Sequence, residues 1–237
     1  MQLPYFYEPS IAAANALVIL GEETSRHCIQ VLRMKEGDRL QLVNGKGSLY
    51  TAVIVGADKK WCSVRIEDVG YQPQESRKVS IAVSLLKNSS RWEWFLEKAV
   101  EIGVHEIIPL LCERTEKQHY KTERLQSIVV AAMLQSRQLW LPFLHSPTKF
   151  AEAVSNSDLF KQKFIAHCDD DASKASLHAV SLLHHVQILI GPEGDFTDTE
   201  INTALQYNYQ PVSLGSTRLR TETAGVVASA LLIHNPK

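Results

Sequence analysis

The spacing of apolar and polar positions changes character once along this chain. Up to about residue 70 the period is two. Arg39–Val43 and Ser48–Val55 read as strands around a turn holding Asn44-Gly45, a pair suited to hairpins because both residues tolerate positive φ. Trp61–Val69 reads as a third strand, with Trp61, Ser63, Arg65 and Glu67 alternating against Cys62, Val64, Ile66 and Asp68. Short strands at this spacing predict a small barrel. Tyr71–Lys78 is polar, contains Pro73 and predicts a linker.

From Val79 onward apolar runs alternate with helical periods. Val79–Leu86 predicts a largely apolar strand. The following helix places Trp92, Phe95, Leu96, Ala99 and Val100 on one side, with Gly103 set to end it. Another strand follows at "HEIIPLLC", giving a strand–helix–strand unit of crossover length. A long helix over about Thr122–Gln138 turns Leu125, Ile128, Val129, Ala132 and Met133 inward. Further strands are predicted at Lys163–His167, Val186–Ile190 and Pro211–Leu214. The expected organisation is a β-rich first domain over residues 1–72 and an α/β second domain over 73–237 with a mainly parallel sheet.

Composition adds exclusions. The chain has 237 residues, 45% hydrophobic and 22% charged, with a net charge of −1. No apolar run approaches the ~18 residues of a membrane span, and the N-terminus lacks the basic stretch of a signal peptide, so a cytoplasmic location is expected. Cys28, Cys62, Cys112 and Cys168 are scattered without a Cys-x-x-Cys pair, and His167, His184 and His185 have no matching ligand array, so no metal is expected. The near-neutral total means that any nucleic-acid contact must rest on local patches. Arg26, Arg33, Lys35 and Arg39, with Lys59 and Lys60, are the candidate phosphate contacts of the first domain.

Chemistry in such a sheet belongs at the carboxyl ends of its strands. Two corners there hold glycine. Strand Val186–Ile190 runs into Gly191-Pro192-Glu193-Gly194, and Thr197 with Glu200 forms a capping box for the next helix. Strand Pro211–Leu214 runs into Gly215, then "STRLRTET", with a helix opening near Thr221 or Thr223. Glycines at strand ends let a ligand approach bare backbone. Neither corner carries the lysine of a phosphate-binding loop or a Gly-x-Gly-x-x-Gly fingerprint, which argues against a nucleotide hydrolase. Glu193 and Asp195 suit a neutral or cationic ligand. Arg218, Arg220 and Glu222 suggest a string that serves a ligand as well as capping the helix.

"LIGPEGDFTDTEI" with "LGSTRLRTETAG", together with "RHCIQVLRMKEGDRLQLVNGKGSLYTAVI" and "EKAVEIGVHEIIPLLCERT", resembles the ribosomal RNA small subunit methyltransferase E family of the SPOUT class. The resemblance spans nearly the whole chain. It implies a PUA-like RNA-binding β-barrel, then a SPOUT α/β domain with a trefoil knot. It also implies a homodimer and S-adenosylmethionine-dependent methylation of uridine N3 in 16S rRNA of the small ribosomal subunit. The family's donor-binding positions fall on Ile190, Gly191, Pro192, Glu193, Gly194, Leu214, Gly215, Leu219 and Arg220, with Thr221 beside them. Two positions depart from the family's pattern: Asp195 where a second glycine is usual, and Arg218 where an aliphatic residue is usual.

A sulfonium methyl donor is already activated, so the protein's task is alignment and charge management. Uracil N3 is protonated at neutral pH and becomes a nucleophile as that proton leaves. Arg220 is the candidate for stabilising the resulting charge, or for orienting the base. Glu222 is the candidate base or arginine orienter, with helix-dipole complementarity as its structural alternative. The competing functional reading is a non-catalytic RNA-binding assembly factor that retains the fold, with Asp195 and Arg218 as the features that would support it.

Overall fold

In the computed structural model, residues 3–11, 17–58, 61–118, 120–168 and 174–235 are described. The chain forms two compact units. One comprises Met1–Gln74 with Met133–Leu141, the other Glu75–Ala132 with Pro142–Lys237.

The first unit contains β1 (Tyr5–Tyr7), β2 (Leu17–Ile19), a short helix α1 (Glu22–Arg26) continuing into a π-helical turn (His27–Val31), β3 (Arg39–Val43), β4 (Ser48–Ala57) and β5 (Cys62–Tyr71). They make a five-stranded sheet in the order β1-β3-β4-β5-β2. β4 carries two register shifts against β5, at Thr51/Ala52 and Ile54/Gly56, and such irregularities bend a strand. The bend wraps the sheet around a core that includes Leu40, Leu42, Ala52, Ile54, Val64, Ile66 and the buried thiols of Cys28 and Cys62. At the β3–β4 turn the positive φ falls on Gly45 (70°) and Gly47 (89°). Asn44 contributes its side chain instead, its Oδ1 accepting from the Lys46 and Ser48 amides at 2.8 and 3.2 Å.

Residues 133–141 group with the first unit, apart from the segments on either side of them. Trp140 lies so close over Gly47 that a Cβ there would stand 2.7 Å from its ring. The Gly47 amide donates to the Leu139 carbonyl at 2.9 Å, and the Tyr5 hydroxyl to the Gln138 carbonyl at 3.2 Å. Nothing in the periodicity of 122–138 marks that change of allegiance.

The second unit contains β6 (Lys78–Ser84), α2 (Ser89–Ile102), β7 (Glu106–Leu111), α3 (Thr122–Gln135), β8 (Phe143–Leu144), β9 (Thr148–Lys149), α4 (Phe150–Ser155), β10 (Gln162–Ala166), β11 (Ala175–Ser176), β12 (His185–Ile190), α5 (Asp198–Gln206), β13 (Gln210–Ser213) and α6 (Thr221–Ile233). The strand order is β11-β13-β10-β12-β6-β7-β8, with β9 also on β7, and every pairing is parallel. β6 and β12 are buried almost end to end, as strands covered on both faces must be.

One face packs Ile165, Leu189, Phe196, Ile201 and Tyr209. The other is covered by α6, which lies on β6 and β12 and against α2. Gly225 permits that approach: a Cβ there would stand 2.6 Å from the Phe95 ring. α2 opens on Asn88, whose Oδ1 accepts from the Ser90 amide at 3.0 Å, and closes on Gly103 at φ 99°. Among the described residues no helix is long and apolar enough to cross a membrane.

At the amino ends of β6 and β7, the Val79 amide donates to His105 Nδ1 at 3.3 Å. Burial, then the charge of Lys78, lowers the pKa of this ring below the ordinary 6.5. His145 Nε2 stands 3.6 Å from Glu106 Oε2, and this neighbouring imidazole, against the effect of burial, lowers the Glu106 carboxyl below 4.5. Both groups bind protons more readily in the unfolded chain, so stability rises with pH across their range. The His105 contribution is complete above pH 6.5 and is lost as pH falls through its lowered folded value. That of Glu106 is complete above pH 4.5 and is lost below it. Melting temperature is expected to fall in two stages between pH 7 and 4, and His105→Gln to flatten the upper stage, as read by scanning calorimetry.

Candidate functional site

β10 lies between β12 and β13, with Ala166 opposite Ile190 and Ile165 opposite Pro211. Their carboxyl ends therefore emerge side by side. The segments that leave them, Gly191–Thr197 and Leu214–Arg220, meet at the first of two adjoining cavities, and the second segment also lines the other. One, of about 470 Å³, is lined by Ile190, Gly191, Pro192, Glu193, Asp195, Arg220, Thr221, Glu222 and Arg91. The other, of about 510 Å³, is lined by His167, Lys174, Ser213, Leu214, Gly215, Ser216 and Thr217. Ala166, Cys168, Arg218, Leu219 and Ala224 line both. Volumes of this size are those of small-molecule sites, roughly 300–1,000 Å³.

The first loop is rigid by construction. The Asp195 amide closes a turn on the Pro192 carbonyl at 3.0 Å. A Cβ on Gly191 would meet Phe196 at 3.1 Å, so the bare backbone at the end of β12 is a packing requirement. Thr197 and Glu200 form the expected capping box. The buried Glu200 also accepts from the Glu113 amide at 2.9 Å.

Asp195 sits at φ 62°, a conformation that glycine adopts freely and aspartate tolerates better than most residues. Its departure from the family's glycine is thus compatible with the same turn. Its carboxylate accepts from the Cys168 amide at 2.7 Å and from the Phe196 amide at 2.8 Å, which ties the loop to the end of β10.

The second loop departs from one expectation. α6 begins at Thr221 with Arg220 as its N-cap, and no side chain caps it. Thr221 and Glu222 are buried at 6% and 7% exposure, while Arg218 and Arg220 are exposed. Glu222 Oε1 lies 3.7 Å from Arg91 Nε, an ion pair too long to be a hydrogen bond.

The structure brings Ile190, Gly191, Pro192, Glu193, Arg220, Thr221 and Glu222 onto one cavity, Leu214 and Gly215 onto the other, and Leu219 onto both. Gly194 lines neither; it faces Arg114, whose Nη1 donates to the Gly194 carbonyl at 2.6 Å. Arg91, Arg114, Cys168 and Lys174 were not picked out by sequence reasoning. Only Arg91 carried a signal, as a cation just inside a helix that follows a strand end. Cys28, Cys62 and Cys112 are buried, but Cys168 is exposed at the junction of the cavities. Partial burial and the Asp195 carboxylate raise its pKa, so it stands there as a neutral thiol.

Of the expected phosphate contacts, Arg26, Arg33 and Lys35 are exposed on the first unit. Arg39 is held by Glu67, Nε to Oε2 at 2.8 Å. Lys59 and Lys60 lie outside the described residues.

A parallel sheet with two loops at adjacent strand ends, in a chain that also holds a separate β unit, matches the class of RNA methyltransferases with a PUA domain. The model of the RNA methyltransferase domain family matches residues 73–233, and that of the RNA methyltransferase PUA domain matches 20–67. A ribosomal RNA small subunit methyltransferase E from Synechocystis is 31% identical over 91% of this chain and 72% of its own length. The crystal structure of a probable rRNA-methyltransferase from Porphyromonas gingivalis superposes with a TM-score of 0.87 at 38% identity, over 96% of this chain and 95% of that one. That of a ribosomal RNA small subunit methyltransferase E from Neisseria gonorrhoeae bound to S-adenosyl methionine gives 0.87 at 28% identity, over 97% and 96%. The chain belongs to the ribosomal RNA small subunit methyltransferase E family.

Proposed function

We propose that this chain transfers a methyl group from S-adenosylmethionine to N3 of one uridine in 16S rRNA of the small ribosomal subunit. The observation that carries this reading is the convergence of both glycine loops on a divided cavity bordered by Arg91, Arg220 and Glu222. The donor-site residues are Ile190, Gly191, Pro192, Glu193, Leu214, Gly215, Leu219, Arg220 and Thr221, with Gly194 in the same loop but turned away from the cavity. Their character fits the donor: apolar side chains at Ile190, Leu214 and Leu219 for a ring, bare backbone at Gly191, and the Glu193 carboxylate for a sulfonium. Bound there, S-adenosylmethionine supplies an electrophilic methyl on a centre that leaves as a neutral thioether.

The chain's own residues handle the uracil. Its N3 proton passes to Glu222, whose carboxylate Arg91 holds from the first turn of α2. Arg220 stabilises the negative charge that spreads onto O2 and O4 as the proton leaves. The new N3–methyl bond forms as the donor's carbon–sulfur bond breaks. The first domain, residues 1–72, binds RNA, and the second, 73–237, is the SPOUT methyltransferase domain with its trefoil knot. The enzyme works in the cytoplasm on the assembled subunit, since a net charge of −1 gives little general attraction for naked RNA.

It acts as a homodimer through α6. From Ala224 onward that helix is apolar except for Ser229, yet Val226, Val227, Ala230 and Leu231 are only partly buried; such a helix belongs inside a core. Light scattering is expected to give the mass of two chains.

Labelled methyl transfer to unmethylated small subunits, with the product nucleoside identified, tests the reaction. 3-Methyluridine at a single position is expected. Its absence from subunits that bind the protein would leave only the assembly-factor reading. Arg220→Ala is expected to lower kcat by about 100-fold. Glu222→Gln is expected to lower it by roughly 10²–10⁴-fold, with the rate climbing at high pH as the uracil ionises unaided. Arg26→Ala, Arg33→Ala and Lys35→Ala should each reduce the salt dependence of RNA binding by about one counterion. Arg39→Ala, already paired with Glu67, should reduce it less.

A further inference from the structure

The turn that follows β7 touches neither cavity, yet it binds the first loop from behind. Arg114 Nη1 donates to the Gly194 carbonyl at 2.6 Å and to the Phe196 carbonyl at 3.3 Å. Its stem runs along Gly194, where a Cβ would stand 3.4 Å from Arg114 Cδ. Beside it, the Glu113 amide binds Glu200, and Thr197 Oγ1 donates to Glu113 Oε2 at 3.2 Å. The turn is itself fixed from below: Thr115 Oγ1 accepts from the Cys112 amide at 2.9 Å and lies 2.9 Å from Ser84 Oγ, both buried.

Pro192 and Glu193 present themselves to the cavity, while Gly194 points the other way. The turn that the Asp195 amide closes on the Pro192 carbonyl turns the Gly194 carbonyl of the same peptide plane outward, and Arg114 binds it there. A guanidinium offers several donors in a fixed plane, and here it engages two carbonyls two residues apart.

We propose that Arg114 is a positioning residue for the donor site. It grips the 191–197 loop from behind and holds the backbone of Gly191–Glu193 in its binding shape without touching the donor. This inference rests on the donor-site reading above.

The test is isothermal titration of S-adenosylmethionine into wild type, Arg114→Met and Arg114→Lys. Amide hydrogen exchange of residues 191–197 in the free proteins is measured alongside. Methionine keeps the stem on Gly194 and removes the donors, so the fold is expected to survive with an unchanged melting temperature. Arg114→Met is expected to weaken binding by roughly tenfold or more. Exchange in the loop should be faster, the KM for the donor higher, and kcat at saturation within about twofold of wild type. Arg114→Lys should recover part of the affinity through one donor. If wild type binds and Arg114→Met binds equally well, Arg114 has no such role and the donor-site reading stands. If wild type does not bind, both fall. An Arg114→Met protein with unchanged loop exchange, or one that unfolds while Arg114→Lys gains no affinity over it, also overturns the proposal.

Discussion

The site depends on the parallel pairing of β10 between β12 and β13. Backbone hydrogen bonds align Ala166 with Ile190 and Ile165 with Pro211. Because the three strands run the same way, segments that leave them at positions 167, 191 and 214 emerge together at one edge. Parallel neighbours cannot be joined by a hairpin, so long stretches of chain separate these corners in sequence. The same rule that spreads the loops along the chain gathers them in space.

Burial makes that geometry rigid. β12 is covered on one face by the cluster around Phe196, Ile201 and Tyr209 and on the other by α6. α6 approaches α2 closely because Gly225 presents no side chain to Phe95. The same helix that seals the sheet thus carries Thr221 and Glu222 into the cavity and sets Glu222 beside Arg91 of α2. Packing and chemistry share one element, and a change at Gly225 would be felt at Glu222.

Asp195 and Arg218, the two departures from the family's pattern, have different standing. Asp195 occupies a left-handed position and adds a tether to the end of β10, so it reinforces the loop rather than reshaping it. Arg218 is exposed where the two cavities meet. Each bears on Cys168, whose pKa the Asp195 carboxylate raises and the Arg218 charge lowers. Both residues line the first cavity.

Much of the fold was legible in the sequence because it rests on local rules. The strand Arg39–Val43, the Gly103 stop and the Thr197–Glu200 capping box follow from periodicity and from backbone groups that need nearby partners. The glycine corners were legible for the same reason, since a glycine at a strand end states a backbone requirement. Other features depend on neighbours distant in sequence. Arg114 grips Gly194 across 80 positions, Arg91 faces Glu222, and residues 133–141 join the first unit through Trp140 and Gly47. The string before α6 looked like a cap by composition, yet no side chain caps that helix. The sequence by itself determined which segments fold into strands and helices and which corners bare their backbone. Only the tertiary structure decided which side chains meet at those corners, because such contacts are set by strand order and helix packing, and no local period records either.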